Sequence, residues 1–153
     1  MLELNKPLPS ISFEATSNVK GSIADFKGKK VVLYFYPKDD TSGCTAESID
    51  FRDNYSKFKA LNTEIMGISR DSLTSHEKFK AKYELPFELI SDPDEALCQL
   101  FDVMKEKSMY GRKYMGIERS TFVIDEQGLL IHEVRKVKVK GHVEQVLQLL
   151  AES

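Results

Sequence analysis

The chain has 153 residues, of which 41% are hydrophobic and 30% charged, and its formal net charge at pH 7 is -2. This length fits one domain over residues 1–153, and the charge balance excludes a general attraction to nucleic acid or to an anionic membrane. No apolar run is long enough to span a bilayer, and the N-terminal residues lack a secretory signal pattern. Since two cysteines are too few for a disulfide scaffold and suit a reducing compartment, we expect a cytoplasmic protein.

The first part of the chain predicts short strands that lead to one buried strand. Residues 1–10 contain two prolines and are predicted to be extended. Residues 11–15 alternate apolar and polar side chains, residues 19–22 are predicted to form an edge strand, and residues 22–26 a single helical turn. Residues 30–36 are almost all β-branched, leucine or aromatic, which predicts a central strand covered on both faces.

A helix is predicted over residues 43–60, because five residues in it recur with the spacing of one helical stripe. Cys44 heads the inward face of this helix, and Thr41 or Ser42 is available to cap its N-terminus. Residues 64–69 predict a second central strand and residues 72–82 a second helix. The stripe of the first helix consists of Cys44, Ser48, Phe51, Tyr55 and Phe58.

The next segment predicts an extended stretch, a helix and a loop. Residues 86–91 are predicted to be extended, and Asp92-Pro93-Asp94 carries the proline and acidic residues that are typical of a helix start. Residues 105–116 are mostly polar and contain two glycines, which predicts a loop.

The C-terminal part predicts a hairpin and a final helix. Residues 119–124 and 129–134 are strand-like and flank a short turn that ends in glycine. Residues 135–140 alternate basic residues with valine, which favours a strand with a solvated basic face over a nucleic-acid patch, because no aromatic residues are interleaved. Residues 141–152 form an amphipathic pattern. The order of elements predicts an α/β sandwich with a central mixed sheet flanked by helices.

Cys44 is the candidate nucleophile, because it falls where a helix is predicted to begin. Unpaired backbone N–H groups and a partial positive charge at a helix N-terminus favour the thiolate, which is the reactive form. To reduce a peroxide, the site would also need groups that stabilise the leaving oxygen. Pro37 could shield the sulfur from water, and the Thr41 hydroxyl could bond both the sulfur and an incoming oxygen. Arg119 is the best remote candidate for a permanent cation with several donors in one plane.

The pattern Pro37-x-x-x-Thr41-x-x-Cys44 after a hydrophobic strand resembles the peroxidatic signature of peroxiredoxins. Residues 35–45 and 116–125 resemble the Q-type branch, also called bacterioferritin comigratory proteins, and the similarity extends to the last helix. The resemblance implies a thioredoxin-like fold, in the peroxiredoxin variant with an N-terminal extension. It also implies thiol-dependent reduction of hydrogen peroxide and organic hydroperoxides.

Residue by residue, the resemblance implies that Cys44 is the peroxidatic cysteine and forms a sulfenic acid. Pro37, Thr41 and Arg119 would form its activating shell, and Glu47 would help to orient the arginine. The resemblance implies no metal and no organic cofactor. The implied partners are a peroxide substrate and, as reductant, thioredoxin or glutathione with glutaredoxin; we expect no nucleic acid or membrane partner, and a monomer or weak homodimer.

The second cysteine departs from the pattern of the Q-type branch. Many members carry a resolving cysteine five positions beyond the first, where this chain has Ile49, and others carry one near residue 80, where it has Phe79, Lys80 and Ala81. We therefore predict a 1-Cys enzyme whose sulfenic acid is reduced by an external thiol or through an intermolecular disulfide. Cys98 is predicted to be a core residue, with resolution of the sulfenic acid through Cys98 as the alternative.

Other functions remain open at this point. Cys44 could be an inert buried cysteine, or the chain could be a non-catalytic redox sensor or holdase on a thioredoxin-like scaffold. A thiol-disulfide oxidoreductase usually carries Cys-x-x-Cys, which is absent here. His76, His132 and His142 show no metal-ligand spacing and are predicted to be structural or surface residues.

Overall fold

The computed structural model describes residues 2–153. Nine strands and five α-helices follow one another, together with two short 3-10 turns at Thr16–Asn18 and Ile23–Asp25. The strands are β1 (Ser12–Ala15), β2 (Lys20–Ser22), β3 (Lys30–Phe35), β4 (Thr63–Ser69), β5 (Glu88–Ser91), β6 (Met104–Met109), β7 (Arg112–Ile117), β8 (Ser120–Ile124) and β9 (Leu130–Val134). The helices are α1 (Ser42–Asp53), α2 (Tyr55–Ala60), α3 (Leu73–Tyr83), α4 (Ala96–Leu100) and α5 (His142–Ala151).

The central sheet is mixed, as the order of elements predicted. Its seven strands lie in the order β2-β1-β5-β4-β3-β8-β9. Strand β3 pairs in parallel with β4 and antiparallel with β8, and β8 continues into the hairpin with β9. Because β3 and β4 run in the same direction, their carboxyl ends meet at one edge of the sheet, and the loops that follow both strands lie at that edge.

Two hydrophobic clusters cover the two faces of this sheet. Alternate residues of β3 point to opposite faces, so Leu33 belongs to one cluster and Tyr34 to the other. The Leu33 face is covered by α4, and the Tyr34 face by α1, α3 and α5. Strand β3 is thus buried on both sides, as predicted for residues 30–36, but it ends at Phe35. Within residues 2–153, no helix combines the length and the apolarity that crossing a bilayer would need.

The helix predicted over residues 43–60 is two helices. Helix α1 ends at Asp53, and Asn54 has φ -108° and ψ 8°. The Asn54 side-chain amide donates to the Asp50 carbonyl at 2.8 Å, which is the kind of local bond that competes with helix continuation. The predicted stripe still faces the core, because α2 resumes after one residue and Phe58 is buried.

Residues 105–116, predicted to be a loop, form a second sheet, which corrects that prediction. Strands β6 and β7 pair antiparallel with each other, outside the seven-stranded sheet. The connecting residues Tyr110 and Gly111 have φ of 52° and 77°, which suits a tight hairpin turn. The outer part of this hairpin is exposed on both faces, so it lacks the alternation by which a half-buried strand is recognised.

Two further predictions differ from the structure. Residues 135–140 are irregular rather than a strand, because Lys136 adopts φ 51° and the Arg135 guanidinium turns back to the carbonyls of Phe101 and Asp102, each at 2.8 Å. The helix predicted to start at Asp92 begins only at Ala96. Asp92 instead caps that helix from outside, since its carboxylate accepts the backbone N–H groups of Leu97 and Cys98.

Candidate active site

Cys44 lies in the first turn of α1, at the edge of the sheet where β3 ends. The chain leaves β3 at Phe35, passes the half-buried Pro37 and enters α1 at Ser42. We call residues 36–41 the β3–α1 loop. The Cys44 residue is only 1% exposed and belongs to the cluster on the Tyr34 face. The thiol therefore lies where the sequence predicts it, at the N-terminal end of a helix where backbone N–H groups are unpaired.

Arg119 reaches Cys44 from a distant part of the chain. It immediately precedes β8, and the ladder between β3 and β8 sets Ser120 opposite Phe35. This register brings Arg119 to the end of β3. Its Nη2 atom donates to the Cys44 sulfur at 3.5 Å, and its Nη1 atom donates to the Glu47 carboxylate at 2.7 Å. One guanidinium therefore bridges the sulfur and a carboxylate of the same helix.

Gly43 leaves the space that Arg119 occupies. A Cβ atom built at this position would lie 3.1 Å from the Arg119 Nη2 atom. That separation is tight for a carbon-nitrogen contact, so a side chain at residue 43 would press on the guanidinium. The absence of a side chain thus allows the close approach between Arg119 and the start of α1.

Thr41 is the residue at the N-cap of α1, but its hydroxyl does not cap the helix. The Oγ1 atom donates to the Lys38 carbonyl at 2.7 Å. Because a hydroxyl has a single proton, this bond leaves only its lone pairs for other partners. Thr41 can therefore accept further hydrogen bonds at this oxygen, while its one proton is directed to Lys38 rather than to the sulfur.

Glu47 is fully buried, and two opposing effects act on the pKa of its carboxyl group. Burial raises the pKa of its carboxyl to about 7, and the Arg119 guanidinium only partly offsets this effect. The second carboxylate oxygen, Oε2, is buried without a hydrogen-bond partner. The pKa of Arg119 is raised by the neighbouring Glu47 and Cys44, although burial acts in the opposite direction. Arg119 therefore stays charged while Glu47 gains or loses a proton near neutrality.

This titration predicts a pH dependence of stability that Glu47→Gln removes. The pKa of Glu47 rises from 4.5 to about 7 in the folded protein, so the folded state binds the proton more tightly than the unfolded chain does. Its contribution is fully present below pH 4.5 and is lost as the pH rises through 7. Relative to Glu47→Gln, the chain with Glu47 should lose on the order of 3 kcal/mol over that interval.

Urea unfolding at several pH values measures this effect. Both proteins should carry Cys44→Ser, so that the neighbouring thiol does not titrate. Groups common to both proteins cancel in the difference between their free energies of unfolding. A difference that stays constant from pH 4.5 to 7 would show that Glu47 is ionised throughout.

Lys107 is a cation near the site that sequence analysis missed. It lies half-buried on β6, and its stem packs against Gly116, where a Cβ atom would lie 3.2 Å from Lys107 Cδ. Burial lowers the pKa of Lys107, the Arg119 charge lowers it further, and Cys44 acts in the opposite sense. The Tyr110-Gly111 pair, which suits a tight hairpin turn, was the available signal for this hairpin.

Cys98 lies away from Cys44, on the Leu33 face of the sheet. It is 0% exposed, and its backbone N–H donates to Asp92. Burial and the neighbouring Asp92 carboxylate raise the pKa of the Cys98 thiol. The sheet itself separates the two sulfur atoms, so the structure does not bring them together.

Known proteins resemble this chain over nearly its whole length. A family model described as the AhpC/TSA family matches residues 4–133. Peroxiredoxin Bcp of Bacillus subtilis is 49% identical over 149 residues, which cover 97% of this chain and 95% of that protein.

Solved structures agree with the sequence comparison. The bacterioferritin comigratory protein of Xanthomonas campestris, studied for its alkyl peroxide reduction activity, is 44% identical with a TM-score of 0.88, covering 93% of this chain and 90% of that one. A cysteine-to-serine mutant of Xylella fastidiosa PrxQ is 38% identical with a TM-score of 0.93, covering 99% and 97% of the two chains. The similarity therefore extends to the backbone fold over nearly the whole chain.

Proposed function

This chain belongs to the AhpC/TSA family as a thiol peroxidase of the Q-type peroxiredoxins, with their thioredoxin-like fold, and we propose that Cys44 is its peroxidatic cysteine. The observation that carries the proposal is the bond from Arg119 Nη2 to the Cys44 sulfur at 3.5 Å. A permanent cation beside a buried sulfur at a helix N-terminus stabilises the thiolate. Hydrogen peroxide and organic hydroperoxides are the substrates of this site.

The thiolate of Cys44 attacks the terminal oxygen of the hydroperoxide. A sulfur–oxygen bond forms, the O–O bond breaks, and the sulfur is oxidised to a sulfenic acid while the peroxide is reduced. The leaving oxygen departs as an anion that takes up a proton, giving water or an alcohol. Arg119 stabilises the developing negative charge, and Thr41 accepts the hydrogen bond of the peroxide O–H group. Pro37 limits the access of water to the sulfur.

The sulfenic acid on Cys44 is reduced by a thiol from outside the chain. Supporting this 1-Cys cycle, Ile49 and residues 79–81 offer no thiol, and Cys98 lies across the sheet in a buried position. The first thiol forms a mixed disulfide with Cys44 and releases water, and a second thiol releases Cys44. Thioredoxin, or glutathione with glutaredoxin, is the reductant. The enzyme itself is a monomer or a weak homodimer, and it acts in the cytoplasm.

Comparison of the unsubstituted chain with Cys98→Ser tests the proposed cycle. After one equivalent of hydrogen peroxide, we expect a sulfenic acid on Cys44 in both proteins, detected by mass spectrometry after trapping with dimedone. Turnover with dithiothreitol, thioredoxin or glutathione should be equal in the two proteins. An intramolecular disulfide between Cys44 and Cys98, together with loss of turnover in Cys98→Ser, would overturn the 1-Cys cycle.

A further inference from the structure

A buried polar cluster lies beside the active site and joins the β3–α1 loop to helix α3. At its centre is Asp39, a loop residue that is only 7% exposed. Its carboxylate accepts hydrogen bonds from the Tyr36 hydroxyl at 2.6 Å and the Ser75 hydroxyl at 2.8 Å, and it bonds His76 Nδ1 at 2.7 Å. Tyr36 is the first residue of the loop, directly after the central strand, whereas Ser75 and His76 belong to α3. A single carboxylate thus links the loop to the helix.

His76 is fully buried and has acceptors at both ring nitrogens. Its Nε2 atom faces the Ile90 carbonyl at 2.9 Å, and Nδ1 faces the Asp39 carboxylate. A carbonyl can only accept, so Nε2 carries a hydrogen. The contact at Nδ1 then needs a second proton, which lies either on His76, as a buried ion pair, or on Asp39. The other titratable groups that face this pair are Tyr36 and Asp71.

The backbone of the loop is held as well. The Asp39 N–H donates to the Asp71 carboxylate at 2.9 Å, and Asp71 in turn accepts the Ser69 hydroxyl at the end of β4. The carboxylate oxygens of Asp39 and Asp71 lie close to His76 Nδ1, an arrangement that could suggest a metal site. All three groups are already engaged in hydrogen bonds with the protein, so the cluster is complete without an ion.

The next loop residue, Asp40, is attached to the opposite end of α3. Its carboxylate accepts hydrogen bonds from the Tyr83 hydroxyl at 2.5 Å and from Lys82 at 2.7 Å. Asp40 has φ 57°, a left-handed conformation that a non-glycine residue adopts at a cost in free energy. The loop is therefore held at both ends of α3, by a buried bond at Asp39 and an exposed one at Asp40.

We infer that α3 clamps the β3–α1 loop through the His76–Asp39 bond. This clamp sets the rate at which a peroxide oxidises Cys44 relative to the rate at which a protein thiol reduces it. The inference rests on the proposed role of Cys44. The loop carries Pro37 and Thr41 and leads directly into the first turn of α1. His76 and Asp39 are positioning residues in this arrangement, because they act on Cys44 only through the loop.

Oxidation and reduction of Cys44 make opposite demands on the clamp. Attack on a hydroperoxide needs the proposed shell of Pro37, Thr41 and Arg119 in place around the sulfur, and the clamp holds the loop that carries Pro37 and Thr41. Reduction by a protein thiol needs access to the sulfenic acid, yet the Cys44 residue is 1% exposed when the loop is closed. Loosening the clamp should therefore slow oxidation by peroxide and accelerate reduction by a protein dithiol.

Three variants distinguish the effect of losing the clamp from the effect of a general loss of stability. Asp39→Ala removes the bonds to His76, Ser75 and Tyr36. Asp39→Asn replaces the carboxyl group by an amide but keeps hydrogen bonding, because the amide N–H can donate to the Nδ1 atom of a neutral His76 and the amide carbonyl can accept from Tyr36. Thr63→Val is the control, since it removes a buried hydroxyl bond at the start of β4, at the opposite end of the sheet from the loop.

The half-reactions are measured separately, in single turnovers. In Asp39→Ala we expect oxidation by hydrogen peroxide to be about tenfold slower, as for loss of a buried bond to a charged group. We expect reduction of the sulfenic acid, formed beforehand with one equivalent of hydrogen peroxide and left unmodified, to be several times faster with thioredoxin. The change should be smaller for dithiothreitol, which is small enough to need less opening of the loop. Asp39→Asn should behave like the unsubstituted chain, and Thr63→Val should change neither half-reaction.

Hydrogen exchange at the amides of residues 42–47 tests the clamp without catalysis. We expect exchange there to be about tenfold faster in Asp39→Ala and unchanged in Asp39→Asn and Thr63→Val. Equal exchange in all four proteins, equal slowing of both half-reactions, or an Asp39→Asn variant as impaired as Asp39→Ala would overturn the inference. Failure of Cys44 to react with peroxide in the unsubstituted chain would instead refute the proposed function, while the exchange data would still report on the clamp.

Discussion

Replacing Cys44 with serine should abolish peroxide reduction, by at least about 10³-fold in turnover with dithiothreitol. A serine hydroxyl does not ionise near neutral pH, even with the Arg119 guanidinium beside it, and its oxygen cannot accept an oxygen atom as sulfur does. The substituted residue is close in size to the original and lies in the first turn of α1, so the fold should be retained. The rate of peroxide loss, followed at several peroxide concentrations, measures the effect.

Cys98→Ser is the matched control for this substitution. It also replaces one buried thiol by a hydroxyl, but in the cluster on the Leu33 face, away from Arg119. We expect it to lower the free energy of unfolding by about 1–2 kcal/mol, because a hydroxyl is buried among apolar side chains, and to leave turnover unchanged. Peroxide turnover that survives in Cys44→Ser but is lost in Cys98→Ser would mean that the wrong cysteine has been assigned.

Replacing Arg119 with methionine should have the second largest effect, a fall of about 10²- to 10³-fold in the rate of Cys44 oxidation. The substitution removes the only group within residues 2–153 that makes a hydrogen bond to the sulfur. It also leaves Glu47 buried without its partner, so the free energy of unfolding should fall by about 3–5 kcal/mol when Glu47 is ionised. Because burial raises the pKa of Glu47, this loss should be smaller in acid than above pH 7.

The double variant Arg119→Met with Glu47→Gln separates activity from stability. It should regain most of the lost free energy of unfolding, since no buried carboxylate is left unpaired, but its oxidation rate should stay low. The oxidation rate of Arg119→Lys should fall between those of the unsubstituted chain and Arg119→Met. An ammonium group keeps the charge but does not reproduce the planar guanidinium that bridges Glu47 and Cys44. A single Arg119→Met variant that oxidises at the normal rate would exclude a role for the guanidinium in catalysis.

Local sequence patterns were informative where a segment packs regularly against the core, on one face or on both. Residues 30–36 and the first turn of α1 were predicted at nearly their observed positions, because an unbroken apolar run and a helical stripe both report burial directly. Such patterns failed for residues 105–116, whose hairpin is largely exposed, and at Asn54, where one side-chain bond interrupts the helix. They also failed at residues 135–140, where Arg135 bonds carbonyls distant in the chain.

The central strand, the position of Cys44 at a helix start and the family resemblance that pointed to Arg119 could all be predicted from the order of residues. The bridge from Arg119 to Cys44 and Glu47, the place of Cys98 across the sheet and the bond between His76 and Asp39 became visible only in the folded chain. The difference lies in the range of the interactions. Helix starts and buried strands depend on neighbours in the chain, whereas the pairing of β3 with β8 and the packing of α3 against the loop depend on residues far apart in sequence.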